Sequence, residues 1–172
     1  MKLRLSPKNN LEATANIVPL KEVTYETFKE FLDSLDEERE TWSLDLQTFK
    51  NDKEWYDKMI YSIVCVYDGE IIGLLSTFER WDLQKETIEV SFVVKKDYQS
   101  QGIGSTLLKR VEYDTTRIST YKYIIARHFK DNIASHKAFL KAGYKEWKEH
   151  KNLVWKIKFL RRNFKPRETY WK

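Results

Sequence analysis

Gln99-Ser100-Gln101-Gly102-Ile103-Gly104 stands a few residues beyond the apolar run Val90 to Val94, and the helix-forming stretch Ser105 to Ser119 follows it. The reading is a strand that runs out into a glycine turn and opens a helix. At a helix start the first backbone amides have no intrahelical acceptor, and the helix dipole adds partial positive charge there. Glycines in the turn remove the Cβ atoms that would hold a phosphate away from those amides. The segment therefore predicts a pyrophosphate cradle made of main chain.

Spacing separates this turn from two other phosphate loops. A Walker loop needs Lys and then Ser or Thr after its last glycine, whereas Ser105 and Thr106 follow Gly104 directly. A dinucleotide-binding turn carries three glycines, and two are present. What remains is Gln-x-x-Gly-x-Gly, beginning at Gln99.

A second segment lies farther along, Asn132-Ile133-Ala134-Ser135-His136-Lys137-Ala138-Phe139-Leu140-Lys141-Ala142-Gly143-Tyr144. Asp131 or Asn132 can cap a short helix here, and Gly143 can end it in the left-handed conformation. The two segments, in this order, resemble the acyl-CoA loop and the CoA-side helix of the GNAT superfamily of N-acetyltransferases. Asn132, Ser135, Phe139, Lys141, Gly143 and Tyr144 match that helix's series in order and spacing.

The elements read along the chain agree with that resemblance. A first strand is predicted from Ala13 to Leu20, then a helix after Thr24 carrying Phe28, Phe31, Leu32 and Leu35, then a second helix from about Asp45 to Met59. Strands at Tyr61 to Tyr67 and Glu70 to Phe78 flank Asp68-Gly69, a hairpin signal. Strand four is Glu86 to Val94, helix three about Gly104 to Ser119, strand five Tyr123 to Ala126, and the last helix Asn132 to Ala142. Tyr144 to Glu149 and Leu153 to Leu160 complete the set, and the basic tail from 161 to 172 shows no period.

The resemblance implies an α/β (α+β) GNAT fold over residues 1–172 as one domain: a mixed, mostly antiparallel sheet of about seven strands with helices on both faces. It also implies that strands four and five diverge around acetyl-CoA as co-substrate. Main-chain groups of Phe92, Val93 and Val94 would then meet the pantetheine arm, and amides from Gln101 to Ser105 would hold the pyrophosphate. Gln99, Gln101, Gly102, Ile103, Gly104, Ser105, Asn132, Ser135, Phe139 and Lys141 are the implied cofactor-binding residues.

The implied reaction moves an acetyl group from the thioester to a primary amine by direct transfer in a ternary complex. A lysine-like amine is almost wholly protonated near neutral pH, so a base helps. Glu89, in the alternating strand Ile88 to Phe92, stands where several relatives place a catalytic glutamate. The oxyanion would meet a backbone amide near Val94. Two positions depart from the family pattern. Arg127 stands where the branch acetylating protein N-termini carries a base glutamate, five residues before Asn132. Phe139 replaces the tyrosine that protonates the departing sulfur in many relatives, while Tyr98, Tyr144 and His136 are its neighbours in sequence. His128 falls near the expected acceptor channel. These departures also leave room for an acyl-CoA-binding module with little turnover.

Composition bounds the remainder. The chain of 172 residues is 41% hydrophobic and 33% charged, which suits a globular domain with a proper core. It has no apolar stretch of bilayer-spanning length, and the opening Met1 to Pro7 lacks the apolar core of a signal peptide, so a cytoplasmic protein is expected. The single Cys65 lies in the apolar run Ile63 to Val66 and reads as a buried thiol. With one cysteine and three unclustered histidines, no metal site is expected.

The net charge of +5 is unevenly spread. Residues 145–172 hold ten basic against three acidic groups, while Glu26, Glu30, Asp33, Asp36, Glu37, Glu38, Glu40 and Asp45 crowd one early region. Such segregation draws a cationic amine toward the first helices and an anion toward the end of the chain. A small-molecule or protein amine suits the former. Aminoacyl-tRNA would suit the latter, where aromatics interleave with Lys and Arg. Edge strands and exposed aromatics suit a homodimer.

Overall fold

The computed structural model describes residues 1–5, 13–35, 52–58, 61–79, 86–118 and 121–160. Its elements are β1 (Lys2–Leu5), β2 (Ala13–Pro19), α1 (Tyr25–Asp33), α2 (Asp52–Lys58), β3 (Ile63–Tyr67), β4 (Glu70–Glu79), β5 (Thr87–Val94), α3 (Ile103–Ile118), β6 (Tyr123–Phe129), α4 (Ile133–Lys141), β7 (Lys145–His150) and β8 (Leu153–Phe159). The strands form one sheet in the order β1-β2-β3-β4-β5-β6-β8-β7. All neighbours are antiparallel except β5 and β6, whose parallel pairing needs the crossover that α3 supplies.

Local chemistry sets these elements. Thr24 caps α1, its hydroxyl accepting from the Thr27 amide at 3.2 Å, and Phe28, Phe31 and Leu32 then fall on one buried face. That face packs with Val64, Ile71 and Leu74 on one side of the sheet. On the other side Ile103, Leu107, Leu108 and Val111 of α3, with Phe139 of α4, cover Ile63, Cys65, Ile72 and Leu75. A bulge between Cys65 and Val66 sends Ile71 to the first side and Ile72 to the second. Helices thus lie on both faces, as the sequence predicts.

Two expectations change. The sheet has eight strands instead of seven, because Lys2–Leu5 pairs antiparallel with Ala13–Asn16. The predicted strands four and five are therefore β5 and β6. β6 also continues past Ala126 to Phe129, since Arg127, His128 and Phe129 pair with Trp155, Val154 and Leu153 of β8. The second helix is seen at Asp52–Lys58, and its predicted start near Asp45 lies outside the described residues. So do Asp36 to Asp45 of the acidic region and the tail 161–172. No helix among the described residues is long and apolar enough to cross a membrane.

Candidate active site

β5 and β6 pair only from Thr87/Tyr123 to Val90/Ala126. Beyond that point Ser91 to Val94 stays paired with β4, and Arg127 to Phe129 stays paired with β8. Each strand follows its outer neighbour, and the sheet opens along its middle. The opening is a cavity of about 830 Å³, whose walls are Ser91 to Val94 on one side, Arg127 to Phe129 on the other, and α4.

At one end lies the glycine turn. Ser100 and Gly102 have φ of 63° and 83°, so the chain turns through two left-handed residues before α3. The left-handed conformation is what Gly102 supplies, for an added Cβ there would meet nothing nearer than Ser105 Oγ at 3.9 Å. Gly104 is glycine for a different reason: its Cβ would stand 2.7 Å from the Phe92 ring. The Thr106 amide makes a helical bond to the Gly102 carbonyl at 3.0 Å, so the amides of Ile103 to Ser105 precede it without an intrahelical acceptor. The Ser105 and Thr106 hydroxyls both donate to that same carbonyl. Main chain, not side chain, is what the turn offers a ligand.

α4 forms the opposite wall. Asn132 caps it, its Oδ1 accepting from the Ser135 amide at 2.9 Å, and Gly143 leaves it at φ 84°. The buried Phe139 ring meets Phe92 and Tyr144 edge-on, each at 5.3 Å, and lies nearly parallel to His128 at 6.0 Å. His128 Nδ1 lies 2.7 Å from the Phe129 carbonyl oxygen. That contact requires a proton on Nδ1, which leaves the lone pair of the neutral ring on Nε2. Nε2 is buried and has no hydrogen-bond partner among the described residues. Burial is the main force pushing the His128 pKa below its ordinary 6.5.

At the root of the opening, Arg127 Nε donates to Glu89 Oε1 at 2.5 Å. Glu89 is 2% exposed. Arg127 also lies over the Trp155 ring, at 5.2 Å.

Of the residues expected to meet the co-substrate, Phe92, Val93, Val94, Gln99, Gly102, Ile103, Gly104, Ser105, Asn132, Ser135, Phe139 and Lys141 line this cavity. Gln101 and Glu89 do not. Gln99 donates from Nε2 to the Val94 carbonyl at 3.0 Å and so ties the turn to the end of β5. Sequence reasoning gave little weight to Ser91, His128, Asp131, Lys137 and Asn152, all in the wall. The signal for His128 was strand parity, legible only once β6 is known to reach Phe129. Among the described residues no group of three or more metal-ligating side chains gathers.

Known proteins bear on this arrangement. The model of the acetyltransferase (GNAT) family matches residues 24–144, well over half of the chain. No curated protein matches the sequence. Several solved structures share the fold. An acetyltransferase of the GNAT family from Streptococcus pneumoniae is 16% identical with a TM-score of 0.69, over 84% of this chain and 98% of that one. An N-acetyltransferase from Staphylococcus aureus Mu50 is 21% identical with a TM-score of 0.68, over 86% and 99%. The Campylobacter jejuni N-acetyltransferase PseH, solved in complex with acetyl coenzyme A, is 12% identical with a TM-score of 0.59, over 84% and 98%. With the family model spanning the glycine turn, the opened strands and the capped helix, the chain belongs to the acetyltransferase (GNAT) family and is an N-acetyltransferase with acetyl-CoA as its co-substrate.

Proposed function

We propose that this enzyme transfers acetyl from acetyl-CoA to a primary amine directly, with both substrates bound at once along the opened seam between β5 and β6. The observation that carries the reading is the seam itself. Phe92 to Val94, paired with β4 and lying beyond the end of the β5–β6 ladder, border a cavity that reaches the Gly102 turn. A strand edge suits an arm that carries amide groups, and free helix-start amides suit a pyrophosphate. Amides from Gln101 to Ser105 hold the diphosphate, Asn132, Ser135 and Lys141 border the cofactor from α4, and Phe139 packs against the arm.

The acceptor is an amine, of a small molecule or of a protein, and the exposed Glu26, Glu30 and Asp33 of α1 favour a cationic approach. Glu89 has a supporting part in this reading. Its Oε1 is occupied by Arg127, and it stands behind the cavity wall, so it holds in place a residue of that wall.

Calorimetric titration with acetyl-CoA tests the cradle, using Gly102→Asn and Gly102→Asp. Both replacements tolerate the left-handed backbone better than other residues, and they differ by one charge. The expected result is binding by wild type, weaker binding by Gly102→Asn, whose side chain crowds the phosphate, and binding at least tenfold weaker again by Gly102→Asp, which adds a negative charge. A folded wild type that binds no acetyl-CoA overturns the reading.

A further inference from the structure

We propose that His128 is the catalytic proton carrier of this enzyme, taking the proton from the amine through Nε2 and handing it to the departing thiolate. The inference rests on the transferase reading above and assigns its proton transfers. Tyr98 also lines the cavity, but it stands just before the glycine turn with its ring against Tyr67, at the end given to the pyrophosphate. Phe139 brings no phenol to the cavity. Tyr144 has its hydroxyl buried without a partner among the described residues and pushed well above the usual tyrosine range by burial, and it is not part of the cavity wall. His128 is in that wall, with its ring parallel to Phe139.

Its surroundings prepare one nitrogen for the task. The Phe129 carbonyl fixes the Nδ1 proton, so the ring cannot satisfy itself by changing tautomer without losing that bond. Nε2 is then a lone pair with no partner among the described residues, held in a residue that is 6% exposed. A buried polar atom left unpaired costs stability, and one carried by a residue of the cavity wall is open to a ligand or a reaction. On β6 the side chain projects to the α4 side, opposite Arg127 and Glu89.

The balance closes on one residue. As the neutral amine forms its N–C bond to the acetyl carbon, Nε2 accepts the proton that nitrogen sheds. As the C–S bond breaks, the imidazolium returns that proton to sulfur, and His128 ends neutral as it began. No further reactant enters.

The charged and titratable groups around the ring come from three elements. His136 of α4 lies edge-on at 5.4 Å, and its Nδ1 is 3.7 Å from Glu146 Oε1 of β7. Lys156 of β8 is buried and donates to the same carboxylate at 2.8 Å. Burial first, then Lys156 and His136, disfavour a proton on His128, against the Phe129 carbonyl and Glu146, and the balance falls on the side of release. His136 and Glu146 also lead from the cavity wall to solvent, since Glu146 is 56% exposed.

The test uses the full chain, with histidine ring nitrogens followed by NMR while pH and acetyl-CoA are varied. The expected free-protein spectrum shows His128 protonated on Nδ1 alone near neutral pH and titrating below 6.5. Acetyl-CoA should shift its Nε2 signal. A proton on Nε2 near neutral pH, or an Nε2 signal unmoved by acetyl-CoA that does shift the Gly102 amide, overturns the proposal.

A kinetic arm measures thiol release with spermidine and polylysine as probe amines. His128→Gln should keep acetyl-CoA affinity within twofold and lower kcat about a hundredfold or more. It should also remove the steepening of the acidic limb that Nε2 protonation causes in wild type, leaving only the fall set by protonation of the probe amine. His128→Asn, which preserves a donor toward Phe129, should behave alike and guards against loss of fold in the first variant. Unchanged kcat with normal acetyl-CoA binding in either variant overturns the role of His128 alone, whereas absent binding in wild type overturns the transferase reading.

Discussion

A methyl group at Gly104 would meet the Phe92 ring at 2.7 Å, and Phe92 is itself a wall of the cavity. Gly104→Ala should therefore displace that ring. Overpacking of this kind costs about 1–3 kcal/mol, more than the roughly 1 kcal/mol that alanine gains over glycine in a helix. Denaturant unfolding should show a net loss of stability, and calorimetry should show weaker acetyl-CoA binding. Adding Phe92→Leu should restore part of both, a coupling expected of two residues in contact. At this scale the sequence was readable where a residue's type is itself the message. Gly102 and Gly104 announce a turn, and Asn132 announces a cap. It was unreadable where the message is direction. Nothing in the order Ala126-Arg127-His128 says which side chain faces the cavity until the strand is known to continue and its parity is set.

Between elements, the Glu89–Arg127 pair ties β5 to β6 at the point where their ladder ends. Removing one partner of a buried ion pair leaves the other charge without compensation, at about 3–5 kcal/mol. Glu89→Ala should accordingly lower unfolding stability by that order, and Glu89→Gln, which keeps an acceptor for Arg127, by much less. Turnover in Glu89→Gln should fall less than tenfold if the carboxylate works only by holding Arg127, which thiol release under saturating acetyl-CoA checks.

The elements themselves were legible in proportion to their periodicity. α1 shows its buried stripe, and the β3–β4 hairpin shows Asp68-Gly69 between apolar runs. β1 was missed because Lys2-Leu3-Arg4-Leu5 alternates over only four residues, with two basic groups among them. β6 was cut short because its apolar run stops at Ala126 while its pairing with β8 does not.

Taken whole, the sheet is two halves, β1 to β5 and β6 to β7, joined in the ladder by the four residue pairs from Thr87/Tyr123 to Val90/Ala126. A ligand seated along the open part touches both halves and binds only the folded chain. At a concentration one hundred times its Kd it should stabilise the protein by about 2.7 kcal/mol. For a domain of this size that raises Tm by about 5–10 °C, readable in a thermal-shift assay with acetyl-CoA. The overall fold and this seam were legible because one junction, strand to glycine turn to helix, marks the middle of the sheet. The acceptor was not, because a mouth is shaped by loops, whose sequences carry no period.

Cys65 is wholly buried in the core, and burial pushes its thiol up to about 11. As it is the sole cysteine of the chain, the folded enzyme presents no sulfhydryl of its own to a disulfide reagent. Colour developed during turnover then counts released CoA molecule for molecule, and a slow extra equivalent per chain would report unfolding.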